Sequence, residues 1–415
     1  MARKVFISFL GTSFYQPGKY LRDDFCSTET RFVQAATLQY LQRTARWDKD
    51  DSAIILLTQK ARASNWVDHG PHPHKTETYP GLRTELQSLG LPFEPVAVDV
   101  PDGNSEADIL EIFSLLFNEL QPGDELYFDV THGFRSLPML AIVLGNYAKF
   151  LKGTVVRSIT YGNWEAHDDN TALIVDLQVL SSLQDWTFAA ADYLENGNAR
   201  LLSQLSSQKA ERLAGLLSSF SQDMQLCRGL NIAQSQTITA ILHTLEEYSS
   251  SDDATLTPIL REIQSRLQGF EATAASGISI KNGFEAARWC NRHGMFQQAL
   301  TILEENIVTY FCHKHDIAIN ATFKRGRINN AIEIARTDKP EAEWKVANET
   351  ERARIKDILG DKQLADRQFL ERFHQLSGLR NDINHSGMRD KPKPAKDFYG
   401  EVEQYINYFA DLLDT

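Results

Sequence analysis

Residues 125–151, ELYFDVTHGFRSLPMLAIVLGNYAKFL, carry three signals in one run. The stretch 125–130 follows the turn-forming Pro122-Gly123-Asp124 and reads as a buried strand. A polar patch closes it: Asp129-Val130-Thr131-His132-Gly133-Phe134-Arg135-Ser136. Residues 136–151 then have the spacing of a long helix. A strand passing through a glycine-bearing polar turn into a helix is the repeating unit of a parallel α/β sheet. Ligands of such sheets bind outside the carboxyl ends of the strands. Glycine lets backbone N–H groups approach a ligand, and a helix N-terminus favours anions. Thr131, Arg135 and Ser136 are donors suited to phosphate, and His132 can donate or stack on a base. Thr131 or Ser136 alone is equally well explained as a helix cap, but the whole run is not.

The same alternation extends on both sides. Strand-like runs occupy 4–10 (KVFISFL), 53–57 (AIILL), 93–100, 154–161 and 172–177. Helical spacing occupies 32–43 and 107–120, the latter with Ile109, Leu110, Ile112, Phe113 and Leu116 on its apolar face. This pattern predicts a Rossmann-like α/β domain whose mostly parallel sheet is covered on both faces. Two further polar clusters stand at strand ends: Gly11-Thr12-Ser13-Phe14, and Thr58-Gln59-Lys60. After Leu177 strand-like runs nearly vanish. Residues 186–194, 210–226, 237–247, 256–267, 283–290, 297–311 and 368–383 read as helices. The expected division is therefore an α/β domain over 1–180 and an all-α domain over 181–415, with polar connectors at 249–253 and 338–351.

DVTHGFRSLP resembles the signature of the CRISPR-associated DxTHG-motif proteins, the CARF-domain proteins of type III systems. FLGTSFY after the first strand is similar to another block of that family, as is ITYGNWEA, which contains Gly162. The segment 175–189 looks like the usual exit from the sensor domain, so the resemblance covers about residues 1–195. It implies a dimer that binds a cyclic oligoadenylate across its two-fold axis. By position, Thr12, Ser13, Gln59, Thr131, His132, Gly133 and Arg135 would line the pocket, with Gly11, Phe14, Asp129, Ser136 and Gly162 of the same blocks beside them. A two-fold site suits a ring with an even number of adenylates; the resemblance favours cyclic tetra-adenylate over cyclic hexa-adenylate.

Near the C-terminus, Phe369, Phe373, Leu376, Leu379 and Ile383 form a buried helical stripe. Beside it runs Arg380-Asn381-Asp382-Ile383-Asn384-His385, and Ser386-Gly387 supplies a helix stop. An Arg, four residues and a His match the R-x4-6-H signature of HEPN ribonucleases. The bare spacing is common; its place in a helical region behind a sensor-like domain strengthens it. RNA can be cut without a metal when its own 2′-OH attacks the adjacent phosphate, and DNA lacks that hydroxyl. His385 can move or orient a proton near neutral pH. Arg380 can hold the phosphate through two hydrogen bonds, and Asn381 can orient phosphate or histidine. Both Arg380 and His385 lie near a helix end, so neither is expected to carry the core. Positions five apart on a helix point about 140° from each other. The family resemblance implies the remedy, a site composed from two such helices across a dimer axis.

The remaining features limit the choices. With 42% hydrophobic and 24% charged residues the chain is an ordinary globular protein. A net charge of −12 argues against a general nucleic-acid coat, so any RNA site is local. Cys26, Cys227, Cys290 and Cys312 lack paired spacing and are expected to be reduced and mostly buried. No apolar run approaches a membrane span, and the start lacks a signal peptide, so a cytoplasmic location is expected. His69, His72 and His74 (HGPHPH) read as a surface loop rather than a metal site; Cys312, His313 and His315 lack a second ligand pair. Lys324, Arg325 and Arg327 (KRGR) read as a solvated loop, with guidance of RNA as the alternative. Neither a P-loop nor a G-x-G-x-x-G fingerprint is present. The expected protein is a cyclic-oligoadenylate-activated, metal-independent endoribonuclease of type III antiviral defence. It would cut single-stranded RNA and not DNA, need no cofactor, and work as a homodimer, with higher oligomers of dimers left open. Two alternatives stand: a non-catalytic sensor, and a sensor whose pocket degrades its own ligand through His132, Thr131 and Ser13.

Overall fold

Lys4–Leu10 (β1) is buried along its whole length, as a strand between two helical layers must be. Its side chains alternate: Val5, Ile7 and Phe9 enter one core, Phe6 and Leu10 the other. The computed structural model describes residues 2–71, 79–133, 137–205, 211–249, 255–272 and 277–413. The chain divides into two compact units, Met1–Ser182 and Leu183–Thr415.

In the first unit, β1 is followed by Lys19–Arg22 (β2), Phe25–Cys26 (β3), Ser52–Leu57 (β4), Val96–Asp99 (β5), Glu125–Asp129 (β6), Val155–Asp168 (β7) and Thr171–Asp176 (β8). They form one sheet in the order β3-β2-β8-β7-β6-β1-β4-β5. The run β5-β4-β1-β6-β7 is parallel. One core lies under the helices Glu106–Glu119 and Leu137–Lys152, with Ile112, Leu116, Leu140 and Leu144 buried. The other lies under Val33–Thr44 and Leu82–Ser88, with Leu38, Leu41, Leu82 and Leu86 buried. After β2 and β3, which lie beyond β8 at one edge, the chain crosses to β4 and β5 on the other side of β1, then returns to β6 on the opposite side of β1. The carboxyl ends of β1 and β6 thus flank the topological switch point, where α/β sheets bind ligands.

The expected α/β unit followed by an all-α unit is present, with differences of detail. β7 and β8 pair antiparallel, as do β2 and β3, so the sheet is mixed at one side. β2 and β3 were not legible: they span four and two residues, too short for alternation to register. In the second unit the helices Thr322–Thr337, Glu349–Leu359 and Phe398–Leu413 add to those read from periodicity. KRGR lies inside the first of these, not in a loop. The core of this unit centres on Tyr193, Trp289, Phe311, Phe369 and Phe409.

The helix Arg367–Asn384 begins at Asp366, whose side chain accepts a hydrogen bond from the Gln368 N–H. It buries Phe369, Phe373, Leu376 and Leu379 as the stripe requires, while Ile383 is half-buried. It stops where Ser386 and Gly387 adopt φ of 57° and 66°, and the Gly387 N–H returns to the Asp382 carbonyl at 2.8 Å.

Candidate functional site

Asp129, the last residue of β6, is 1% exposed and does not face solvent. Its Oδ2 accepts from Ser8 Oγ of β1 at 2.6 Å. Its Oδ1 accepts from the Thr131 hydroxyl at 2.5 Å and the Thr131 N–H at 3.2 Å. Burial pushes this carboxyl up from the ordinary range, and the bonds from Ser8 and Thr131 pull it back. Thr131 Oγ1 in turn accepts from the Gly162 N–H of β7 at 2.8 Å. One carboxylate therefore ties β1, β6 and the following turn together, and Thr131 extends the tie to β7. Gly133 follows at φ 114°, a conformation that favours glycine.

The loop after β1 is held from beneath. Asn65 Nδ2 donates to the carbonyls of Gly11 and Ser13, both at 2.9 Å. Arg31, 5% exposed, donates to Asn65 Oδ1 at 3.3 Å and to the Tyr15 carbonyl at 3.2 Å. Its guanidinium lies 4.5 Å from the centre of the Phe14 ring. A Cβ on residue 11 would sit 2.5 Å from Tyr15 Oη, so a side chain here would displace the end of that ring. Tyr15 stacks on His132, with centroids 4.1 Å apart and planes 20° apart. Burial lowers the His132 pKa to about 4, so the imidazole is neutral at physiological pH, and its Nε2 is shielded without a partner.

Between these strand ends lies a cavity of about 480 Å³. Of the expected residues, Gly11, Thr12, Ser13, Thr131, His132 and Gly133 line it, as do Thr58 and Lys60 of the second cluster. Phe14, Gln59, Asp129 and Gly162 do not: Phe14 packs on Arg31 and Tyr79, and Asp129 and Gly162 are fasteners behind the wall. Arg135 and Ser136 lie outside the described residues. Sequence reasoning missed Asp102 and Asn104 in the lining, and Arg31 and Asn65 beneath it. Polar residues after β5 were the only available signal for Asp102 and Asn104; Arg31 and Asn65 had none.

In the second unit, Arg380 and His385 leave the helix Arg367–Asn384 differently. Arg380 turns inward, and its Nη1 forms an ion pair with Glu304 Oε1 at 2.9 Å, with Glu304 on the helix Phe296–Lys314. Arg380 Nη2 donates to Asn381 Oδ1 at 3.2 Å. Glu304 is 8% exposed; burial raises its pKa and the neighbouring Arg380 lowers it. The expectation that Arg380 would take no part in the core is thus corrected, because it neutralises a buried acid. His385 is the C-cap and is exposed, with its backbone N–H on the Asn381 carbonyl at 3.0 Å. Asn384 accepts from Gln297 Nε2 at 3.0 Å.

The other candidates resolve simply. Arg325 donates to the Glu305 carboxylate at 2.5 Å and to Thr309 Oγ1 at 3.1 Å, and Arg327 approaches Glu351 at 3.5 Å. Two of the three KRGR cations are therefore engaged internally. His315 faces Asp361 at 3.3 Å, while Cys312 is buried. His72 and His74 lie outside the described residues. Among the described residues, no group of three or more His, Cys, Asp or Glu is placed to hold a metal ion. All four cysteines are free: Cys290 and Cys312 buried, Cys227 half-buried, Cys26 exposed. No described helix is long and apolar enough to cross a membrane.

No protein-family model matches the chain. Over 113 residues, 27% of its length, it is 29% identical to the CRISPR-associated protein MJ1674 of Methanocaldococcus jannaschii, and the match takes in 18% of that protein. Among solved structures, Enterococcus italicus Csm6 bound to cyclic hexa-2′-fluoro-hexa-dAMP is similar with a TM-score of 0.48 at 10% identity, over 99% of this chain and 94% of that one.

Proposed function

We propose that this chain, a CARF-containing CRISPR-associated protein, is a ribonuclease switched on by a cyclic oligoadenylate. One observation carries the reading: Thr131, His132 and Gly133 of the D-V-T-H-G run line a polar cavity at the switch point, in a chain whose helical unit ends a helix with Arg380, Asn381 and His385. The sensor would be the domain over 1–180 and the nuclease a HEPN domain over 181–415. Backbone N–H groups near Gly11 and Gly133, the hydroxyls of Thr12 and Ser13, and Lys60 suit phosphates. The flat Tyr15–His132 stack suits an adenine face. A two-fold dimer would bring two such walls around one ring, with four adenylates favoured over six. Ligand binding drives the nuclease only if the ring binds the active state more tightly than the idle one.

At the helix end the chemistry needs no metal. The RNA 2′-OH attacks the adjacent phosphorus and the 5′-oxygen leaves, giving a 2′,3′-cyclic phosphate. His385, solvent-exposed, handles the proton. Arg380 and Asn381 hold the phosphate oxygens as charge develops. Two copies across a dimer axis would complete the site. The Arg380–Glu304 pair favours one rival, a sensor in which the arginine is structural and RNA is not cut.

The deciding experiment incubates the purified protein with labelled single-stranded RNA and DNA, with each cyclic oligoadenylate and with EDTA throughout. Ligand-dependent RNA products ending in 2′,3′-cyclic phosphate are expected, with DNA intact. RNA left whole with every ring would favour the non-catalytic sensor; consumption of the ring itself would reveal a ligand-degrading pocket. In subunit mixtures, excess His385→Ala chains should depress activity per wild-type chain below simple dilution.

A further inference from the structure

Glu304 belongs to no sequence motif, yet it is the acid on which Arg380 rests. Its Oε1 lies 2.9 Å from Arg380 Nη1 in an ion pair, and Asn381 Oδ1 takes an Nη2–H at 3.2 Å. Both anchors grip the two terminal nitrogens, so the guanidinium plane cannot turn without breaking one of them. An arginine carries five N–H donors. Arg380 Nε is shielded without a hydrogen-bond partner, and so is Glu304 Oε2. The hydrogen bond to Asn381 uses one of the four Nη N–H groups, which leaves donors on both Nη1 and Nη2 of a side chain that is 25% exposed. Two such donors match two phosphate oxygens.

We infer that Glu304 is a positioning residue, which aims the free Nη donors of Arg380 at an RNA phosphate and tempers its charge. The inference rests on the ribonuclease reading above. Glu304 itself touches no RNA. Its negative charge opposes phosphate binding, while its ion pair fixes the arginine's orientation, so the two effects separate in kinetics. A guanidinium free to swing loses alignment with the reacting phosphate, which affects turnover. Removal of the acid's charge strengthens attraction for RNA, which affects binding.

The test compares wild type with Glu304→Ala and Glu304→Gln in the ligand-activated protein. Glu304→Ala should lower kcat about 10–100-fold, because an angstrom of misplacement costs that much, and should not raise KM in proportion. Glu304→Gln keeps a neutral acceptor and should recover much of the kcat loss, with KM for RNA below that of wild type. Wild-type kcat in a folded, ligand-binding Glu304→Ala would overturn the inference. A second measurement needs no cleavage: nitrogen-15 NMR of selectively labelled arginine, with Arg380 assigned through Arg380→Lys. Restricted Arg380 Nη signals in wild type, averaged in Glu304→Ala, support the positioning; equal mobility in both refutes it. Inactive wild type with restricted Nη signals would sink the ribonuclease reading and leave the placement of Arg380 standing.

Discussion

The two polar ends of this chain, after β6 and at the end of Arg367–Asn384, are built by opposite means. After β6, Asp129 accepts from Ser8 and from Thr131, and Thr131 accepts from Gly162, so each hydroxyl and carboxylate is used inside the wall. At the helix end, Arg380 leans on Glu304 alone from another helix, two of the pair's polar atoms have no partner, and His385 stands in solvent. A fully satisfied network is rigid and costly to disturb; a partly satisfied pair keeps donors to spare. The first arrangement suits a preformed pocket, the second a site completed by another component.

The largest effect expected of this contrast is at His385. His385→Ala should reduce RNA cleavage by at least about 100-fold, the contribution of a proton-transfer group. It should leave thermal stability and ring binding unchanged, because the side chain is exposed. Unaltered cleavage would end the catalytic assignment.

Arg380→Ala should differ by losing stability together with activity. It leaves Glu304 buried without its cation, a loss of about 3 kcal/mol in urea unfolding. If the variant proves as stable as His385→Ala, the Glu304 pair contributes little, and the two ends are more alike than the geometry implies.

The pocket should show its rigidity in acid. The pKa of His132 falls to about 4 in the folded chain, so between pH 6.5 and 4 the unfolded chain takes a proton that the folded one refuses. Stability therefore rises with pH across that window and is lost as pH falls through it. The difference is roughly 2 kcal/mol once screening of the partly exposed ring is allowed for. His132→Phe keeps the stack on Tyr15 and should flatten this part of the pH profile; identical profiles would mean the ring is solvated.

Thr131→Val should have the smallest effect, about 1–2 kcal/mol of stability from a hydroxyl that bridges Asp129 and Gly162. Ring binding should weaken alongside, by calorimetry. Unchanged affinity with reduced stability would make Thr131 purely a fastener.

Several parts of the site were legible because their signals are local. Gly11-Thr12-Ser13 and Thr131-His132-Gly133 were readable as strand-end polar turns, and the cavity gathers both. Phe369, Phe373, Leu376 and Leu379 were readable from period, and Ser386-Gly387 from turn chemistry. Asp129 illustrates the limit. A strand-end carboxylate looks ligand-facing in sequence, but Ser8 on the neighbouring strand turns it inward. KRGR illustrates another: the helix Thr322–Thr337 formed through packing of Ile328, Ala331, Ile332 and Ile334, which outweighed its polar start.

By itself the sequence determined most of the strands and helices and where their polar ends fall, since period, turns and stops act over a few neighbouring residues. The tertiary structure alone decided which polar groups are spent and which remain free. Ser8 claims Asp129, Asn65 and Arg31 support the loop after β1, and Glu304 takes hold of Arg380. Each of these partners comes from a different element, brought near by burial of apolar faces, and burial has no preference for the polar residues it carries with it.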